Sequence, residues 1–137
     1  MDMVQLDVER AKRKIQDMDL SFVERRLVNV EGCSPEAARE AVASYRRLLS
    51  LQVDYPQHRL APPMTADRAL HAHILHTQRY ANDMQAIFGR FLHHDPEESN
   101  EEARELTQGL FVKHYGISID SFAICAISIE NREKLAA

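Results

Sequence analysis

Apolar positions along this chain recur mainly at alternating intervals of three and four, which is the period of an amphipathic helix. Val4, Val8, Ala11, Ile15 and Met18 make one such stripe, with Glu9, Arg10, Arg13 and Lys14 on the other faces, and predict a first helix over about residues 2–18. Leu20, Val23, Leu27 and Val30 predict a second over 20–30. Gly32 ends it. Ser34-Pro35 then has the form of a helix start, since serine caps the free backbone N–H groups and proline is tolerated in the first turn. Ala38, Val42, Tyr45 and Leu49 give that third helix its inward face, and Asp54-Tyr55-Pro56 stops it. Pro62-Pro63 makes residues 57–64 an irregular connection.

A long helix is predicted from near Thr65 to about Leu92. Its seam is Leu70, Ile74, Thr77, Ala81, Met84, Phe88 and Phe91, and Gly89 loosens the last turn. Asp95-Pro96 ends it. Ser99 with Glu102 forms a capping box for a further helix, in which Leu106, Leu110 and Phe111 face inward and which Tyr115-Gly116 closes. Residues 117–129 are ambiguous. Their β-branched residues suit a strand, whereas Asp120 as cap, with Phe122, Cys125 and Ile129 inward, suits a helix; the balance favours a helix. The expected fold is all-α, a single-domain bundle of about five helices spanning residues 1–137, with no internal repeat.

Composition narrows the function classes. The 137 residues suit one domain, and 45% are hydrophobic, enough for one core. The net charge of -4 argues against broad nucleic-acid binding, where a basic face supplies most of the affinity. No apolar run is long enough to span a bilayer, and the first residues do not read as a secretory leader. Cys33 and Cys125 form no CxxC pair and read as reduced thiols of a cytoplasmic protein.

The chemistry concentrates in histidine. Five of the seven histidines, His71, His73, His76, His93 and His94, fall between residues 71 and 94. Imidazole titrates near neutrality and is the commonest transition-metal ligand. On a regular helix His73, His76, Tyr80 and Asp83 share a flank, whereas His71 points nearly opposite His73. His93 and His94 lie about 20 residues further on, so an unbroken helix would carry them roughly 30 Å away, and one centre using both clusters requires the chain to fold back. The candidate metal ligands are therefore His71, His73, His76, His93 and His94. Asp67, Tyr80 and Asp83 are candidate supporting groups, with Asp67 orienting an imidazole as a hydrogen-bond acceptor. Asp67, Asp83 and Asp95 are also possible oxygen donors. This set suits zinc, copper, nickel or iron without choosing among them. His58 and His114 read as structural or exposed. The chain contains no HExxH, GxGxxG, GxxxxGK[ST] or GxSxG motif, and no glutamate precedes a histidine by three residues, as a carboxylate-bridged di-iron bundle would need.

The run Asp67-Arg68-Ala69-Leu70-His71-Ala72-His73-Ile74-Leu75-His76-Thr77-Gln78-Arg79-Tyr80, followed by Phe88-Gly89-Arg90-Phe91-Leu92-His93-His94, resembles the glycine-rich domain-containing protein-like family. Its members carry His-x-His-Ile-Leu-x-Thr and Phe-Gly-x-Phe-Leu-His-His motifs. Tyr45-Arg46-Arg47-Leu48-Leu49 and Tyr55-Pro56 extend the resemblance, which covers about residues 40–116. Leu70 stands where that family has tryptophan, His76 where an acidic residue is frequent, and Met84 where a cysteine is. No glycine-rich tract is present. The resemblance implies that His71, His73, Tyr80, His93 and His94 belong to a family signature, and it implies no activity.

The leading functional expectation is a small cytoplasmic helical protein with a histidine-lined metal or active site, its reaction unassigned. The alternative is a non-catalytic interaction or accessory module of a larger assembly, in which the histidines are structural. Histidine acid–base catalysis without metal is a third option. The partner is then a small molecule or a protein, with neither nucleic acid nor membrane involved.

Overall fold

The computed structural model describes residues 7–96 and 100–129. Among them are six helices and one small two-stranded sheet, 65% helical in all. The helices are α1 (Val8–Asp17), α2 (Ser21–Asn29), α3 (Pro35–Asp54), α4 (Met64–Leu75), α5 (Thr77–Phe88) and α6 (Glu101–Tyr115); the strands are β1 (His93–Asp95) and β2 (Ala126–Ser128). No helix among the described residues is long and apolar enough to cross a membrane.

Helix α3 is the centre of the bundle. Ser34 Oγ accepts from the Ala37 N–H, Pro35 occupies the first turn, and the helix packs on α1, α2 and, most extensively, α4. Tyr45, Leu48, Leu49 and Leu51 are fully buried within one continuous hydrophobic cluster. Burying a side chain of this size contributes roughly 1.5–3 kcal/mol.

Several elements differ from the sequence expectation. Among the described residues α1 begins at Val8, where the Asp7 side chain caps it by accepting from the Arg10 N–H; residues 2–6 of the predicted helix lie outside the described residues. The single long helix over 65–92 is two helices. At His76 the backbone leaves the helical region (φ -90°, ψ 71°), its N–H turns back to the His73 carbonyl, and its Nδ1–H donates to the Ala72 carbonyl at 3.0 Å. The imidazole thus caps α4 from within the chain. The predicted seam is interrupted as a result: Thr77 and Phe91 are exposed, whereas Tyr80 and Ile87 are buried. Gly89 does more than loosen a turn. With φ at +70° it ends α5, a left-handed conformation that glycine adopts without steric cost. The capping box predicted at Ser99 rests on a residue outside the described ones, and Asn100 is the observed cap, accepting from the Ala103 N–H.

The tail is the largest departure. The segment predicted as a helix over 117–129 is extended at its end and forms β2, antiparallel to β1 with His94 opposite Ile127. Ile127 also exchanges both backbone hydrogen bonds with Leu60, Ala123 N–H donates to the Pro62 carbonyl, and Met64 N–H donates to the Ser121 carbonyl. Phe122, Cys125 and Ile129 have helical spacing, but two other stretches of chain offer this backbone hydrogen-bond partners, and tertiary pairing overrides a weak local preference.

Thr107 anchors the connection before α4. It is fully buried, and its hydroxyl donates to the Ala103 carbonyl at 2.8 Å while accepting from the Ala61 N–H at 2.9 Å. Thr107→Val keeps the shape and leaves the buried Ala61 N–H without a partner. Urea unfolding of that variant is expected to show a loss of about 1–3 kcal/mol; an unchanged midpoint would mean that this hydrogen bond is dispensable.

Candidate metal centre

The break at His76 and the return through β1 bring two of the histidines together. Asp67 and His71 are one turn apart on the same face of α4, and the His71 Nε2 atom lies 3.3 Å from Asp67 Oδ1. The chain reverses after α5, so His94, the central residue of β1, sets its Nε2 atom 3.1 Å from His71 Nε2. Successive strand residues point to opposite faces. His94 therefore turns toward α4, and His93 turns outward, its exposed ring against Phe91 at 5.4 Å. Cys125, just before β2, donates its thiol to Asp67 Oδ1 at 3.0 Å. One donor atom from each of Asp67, His71, His94 and Cys125 lies within 4.8 Å of every other.

Burial acts on two of these donors. Burial pushes the Cys125 thiol well above its ordinary range, and the Asp67 carboxylate adds to the effect. Burial, with His71 beside it, lowers the His94 pKa, against the opposing pull of Asp67 and Asp95. A divalent cation would reverse the balance at Cys125, since a coordinating thiol is deprotonated. The site is half open: the Cys125 and Asp67 side chains are enclosed, whereas the His71 side chain is 52% exposed.

The other sequence-predicted residues are placed elsewhere. His73 is completely buried on the opposite side of α4, where its Nδ1 is 2.8 Å from the Tyr45 hydroxyl and its Nε2 2.8 Å from Asp83 Oδ2. The arrangement assigns the tautomer: Nε2–H donates to the carboxylate and Nδ1 accepts from the phenol. Burial holds the His73 pKa below its ordinary value, with Asp83 opposing, and burial raises that of Tyr45. Tyr80 packs its ring edge-on to His73 and donates to the Leu92 carbonyl at 2.7 Å. His76 caps α4 and packs on Phe22. Thus Asp83 and Tyr80 support His73 and the α5–β1 connection, away from the four-donor group.

Asp67, which the sequence offers both as an orienting acceptor and as a possible oxygen donor, places its oxygen within the donor group. Cys125, which the sequence offers only as one of two reduced thiols, adds a sulfur to the group. The i, i+4 pairing of Asp67 and His71 was a usable signal; nothing local marked Cys125, which reaches the group only through the pairing of β2.

The UCP032817-like family model matches residues 12–120. The chain belongs to the UCP032817-like family. This overturns the resemblance to the glycine-rich domain-containing protein-like family: the matching model is that of a separate, uncharacterised family. No curated protein and no solved structure matches the chain. Asp67, His71 and His94 lie inside the span matched to the UCP032817-like family, and Cys125 lies five residues beyond its end.

Proposed function

We propose that this protein binds one transition-metal ion, best zinc, through Asp67 Oδ1, His71 Nε2, His94 Nε2 and Cys125 Sγ. The observation that carries the reading is the convergence of these four donors, from α4, β1 and the residue before β2, to within 4.8 Å of one another. Tetrahedral zinc with bonds of about 2.0–2.3 Å holds its donors roughly 3.3–3.8 Å apart. The close pairs at 3.0, 3.1 and 3.3 Å need only small side-chain adjustments to reach that spacing. One sulfur, two nitrogens and one oxygen suit zinc's borderline character, and thiolate argues against magnesium or calcium. Four protein donors make a closed set, the pattern of structural zinc sites; hydrolytic sites keep a position for water. The ion's role is then to tie α4, β1 and β2 together, and the reading extends to no reaction.

Elemental analysis of protein purified without a histidine tag is expected to find about one zinc per chain. Cobalt substitution should produce a thiolate-to-metal charge-transfer band that disappears in Cys125→Ser. Metal-free protein that also fails to take up zinc or cobalt on titration would end the proposal.

A further inference from the structure

A second site is built on the far side of α3. We infer that the groove between α3 and the ends of α1, α2 and α6 binds a small phosphate-bearing molecule through Arg39, Arg46 and Arg47. The groove encloses about 450 Å³, a volume within the range of small-molecule sites. Arg39, Arg46, Arg47 and Ser50 fall at helical intervals of seven, eight and eleven residues from Arg39, which places them along one side of α3. Tyr115 from α6 closes one end, and Glu24 from α2 is the only acidic residue in the lining. Three guanidinium groups line the groove with one carboxylate, and Glu40 and Asp19 flank it from outside the lining.

The arginines are incompletely neutralised. Arg46 donates to the carbonyls of Ile15 and Met18, so its contact partners are uncharged, although Glu24 and Asp19 lie near enough to favour its charge. Those bonds hold the guanidinium in place at the C-terminal end of α1. Arg47 pairs with Glu40 at 3.2 Å, whose side chain is mostly exposed. Arg39 is exposed and makes no ion pair among the described residues. The Ser50 and Tyr115 hydroxyls lie beside them, with Tyr115 donating to the Arg47 carbonyl at 3.3 Å and closing that end of the groove. Guanidinium forks match the oxygens of a phosphate in pairs, which an array of lysines would not do.

The test is an NMR titration of the full chain with phenyl phosphate and with inorganic phosphate, against sodium chloride at matched ionic strength. Saturable shifts at Arg39, Ser50 and Tyr115 are expected with both phosphates and not with chloride. The Arg39→Ala/Arg47→Ala variant is expected to bind at least about tenfold more weakly, since each hydrogen bond to a charged group contributes on that scale. Arg46 is left intact because it caps α1, and Arg39→Ala alone, at an exposed position, serves if the double variant does not fold. Chloride producing the same shifts, or variants binding phosphate as the parent does, would overturn the inference. Zinc content is unaffected in either case, so the result is independent of the metal reading.

Discussion

His94→Ala is expected to abolish stoichiometric zinc binding, while His93→Ala, one residue away, leaves it intact. The two side chains leave opposite faces of β1: His94 meets His71 at 3.1 Å, and His93 packs outward on Phe91. Losing a group that merely supports a ligand costs about 10–100-fold in metal affinity, and losing a ligand should exceed the upper end of that range. Stability should follow. An ion that binds only the folded chain stabilises it by about 4 kcal/mol when its free concentration is about a thousand times Kd. In a chain of this size that raises Tm by on the order of 10 °C. Zinc should therefore raise the Tm of the parent and of His93→Ala, leave His94→Ala unmoved, and lose its effect when a chelator is added. Hydrogen exchange should slow in residues 122–128, which Cys125 would tether to α4. Equal losses in the two histidine variants would show that the donor group does not bind the ion.

The second large effect concerns His73. Its ring joins three helices: Tyr45 from α3 donates to one nitrogen, Asp83 from α5 accepts from the other, and the rings of Phe22, Tyr45 and Tyr80 stand edge-on around it. His73→Ala opens a cavity and strands a buried phenol and a partly buried carboxylate, for an expected loss of about 3–5 kcal/mol. That is a third or more of the stability of many domains. Tyr45→Phe removes only the donor to Nδ1 and should cost about 1–3 kcal/mol. Zinc content should be unchanged in both, because this network lies across α4 from the donor group. Chemical denaturation decides the matter: a loss below about 1 kcal/mol for His73→Ala would mean that the pocket repacks and the hydrogen bonds contribute nothing.

The same two residues show how much of the site was legible. A local excess of histidine pointed to the segment that supplies His71 and His94 to the donor group, and helical geometry separated His71 from His73. Periodicity could not reveal that His76 breaks the helix, because the apolar spacing runs on through residue 77 and the break depends on an imidazole bonding its own preceding turn. Without that break, and the left-handed Gly89, His94 stays far from His71. Cys125 was less accessible still, since its place depends on the pairing of Ile127 with both Leu60 and His94.

Local pattern by itself determined the helical class, the start of α3 at Ser34-Pro35, its buried face, and the end of α6 at Gly116. These are matters of period, capping and backbone permissiveness, each decided within a few residues. Tertiary structure alone decided that Ala126–Ser128 form a strand, which of two adjacent histidines faces inward, and which oxygen and sulfur meet them. Those outcomes depend on hydrogen bonds and contacts between residues 23 to 67 positions apart, and no local spacing encodes them.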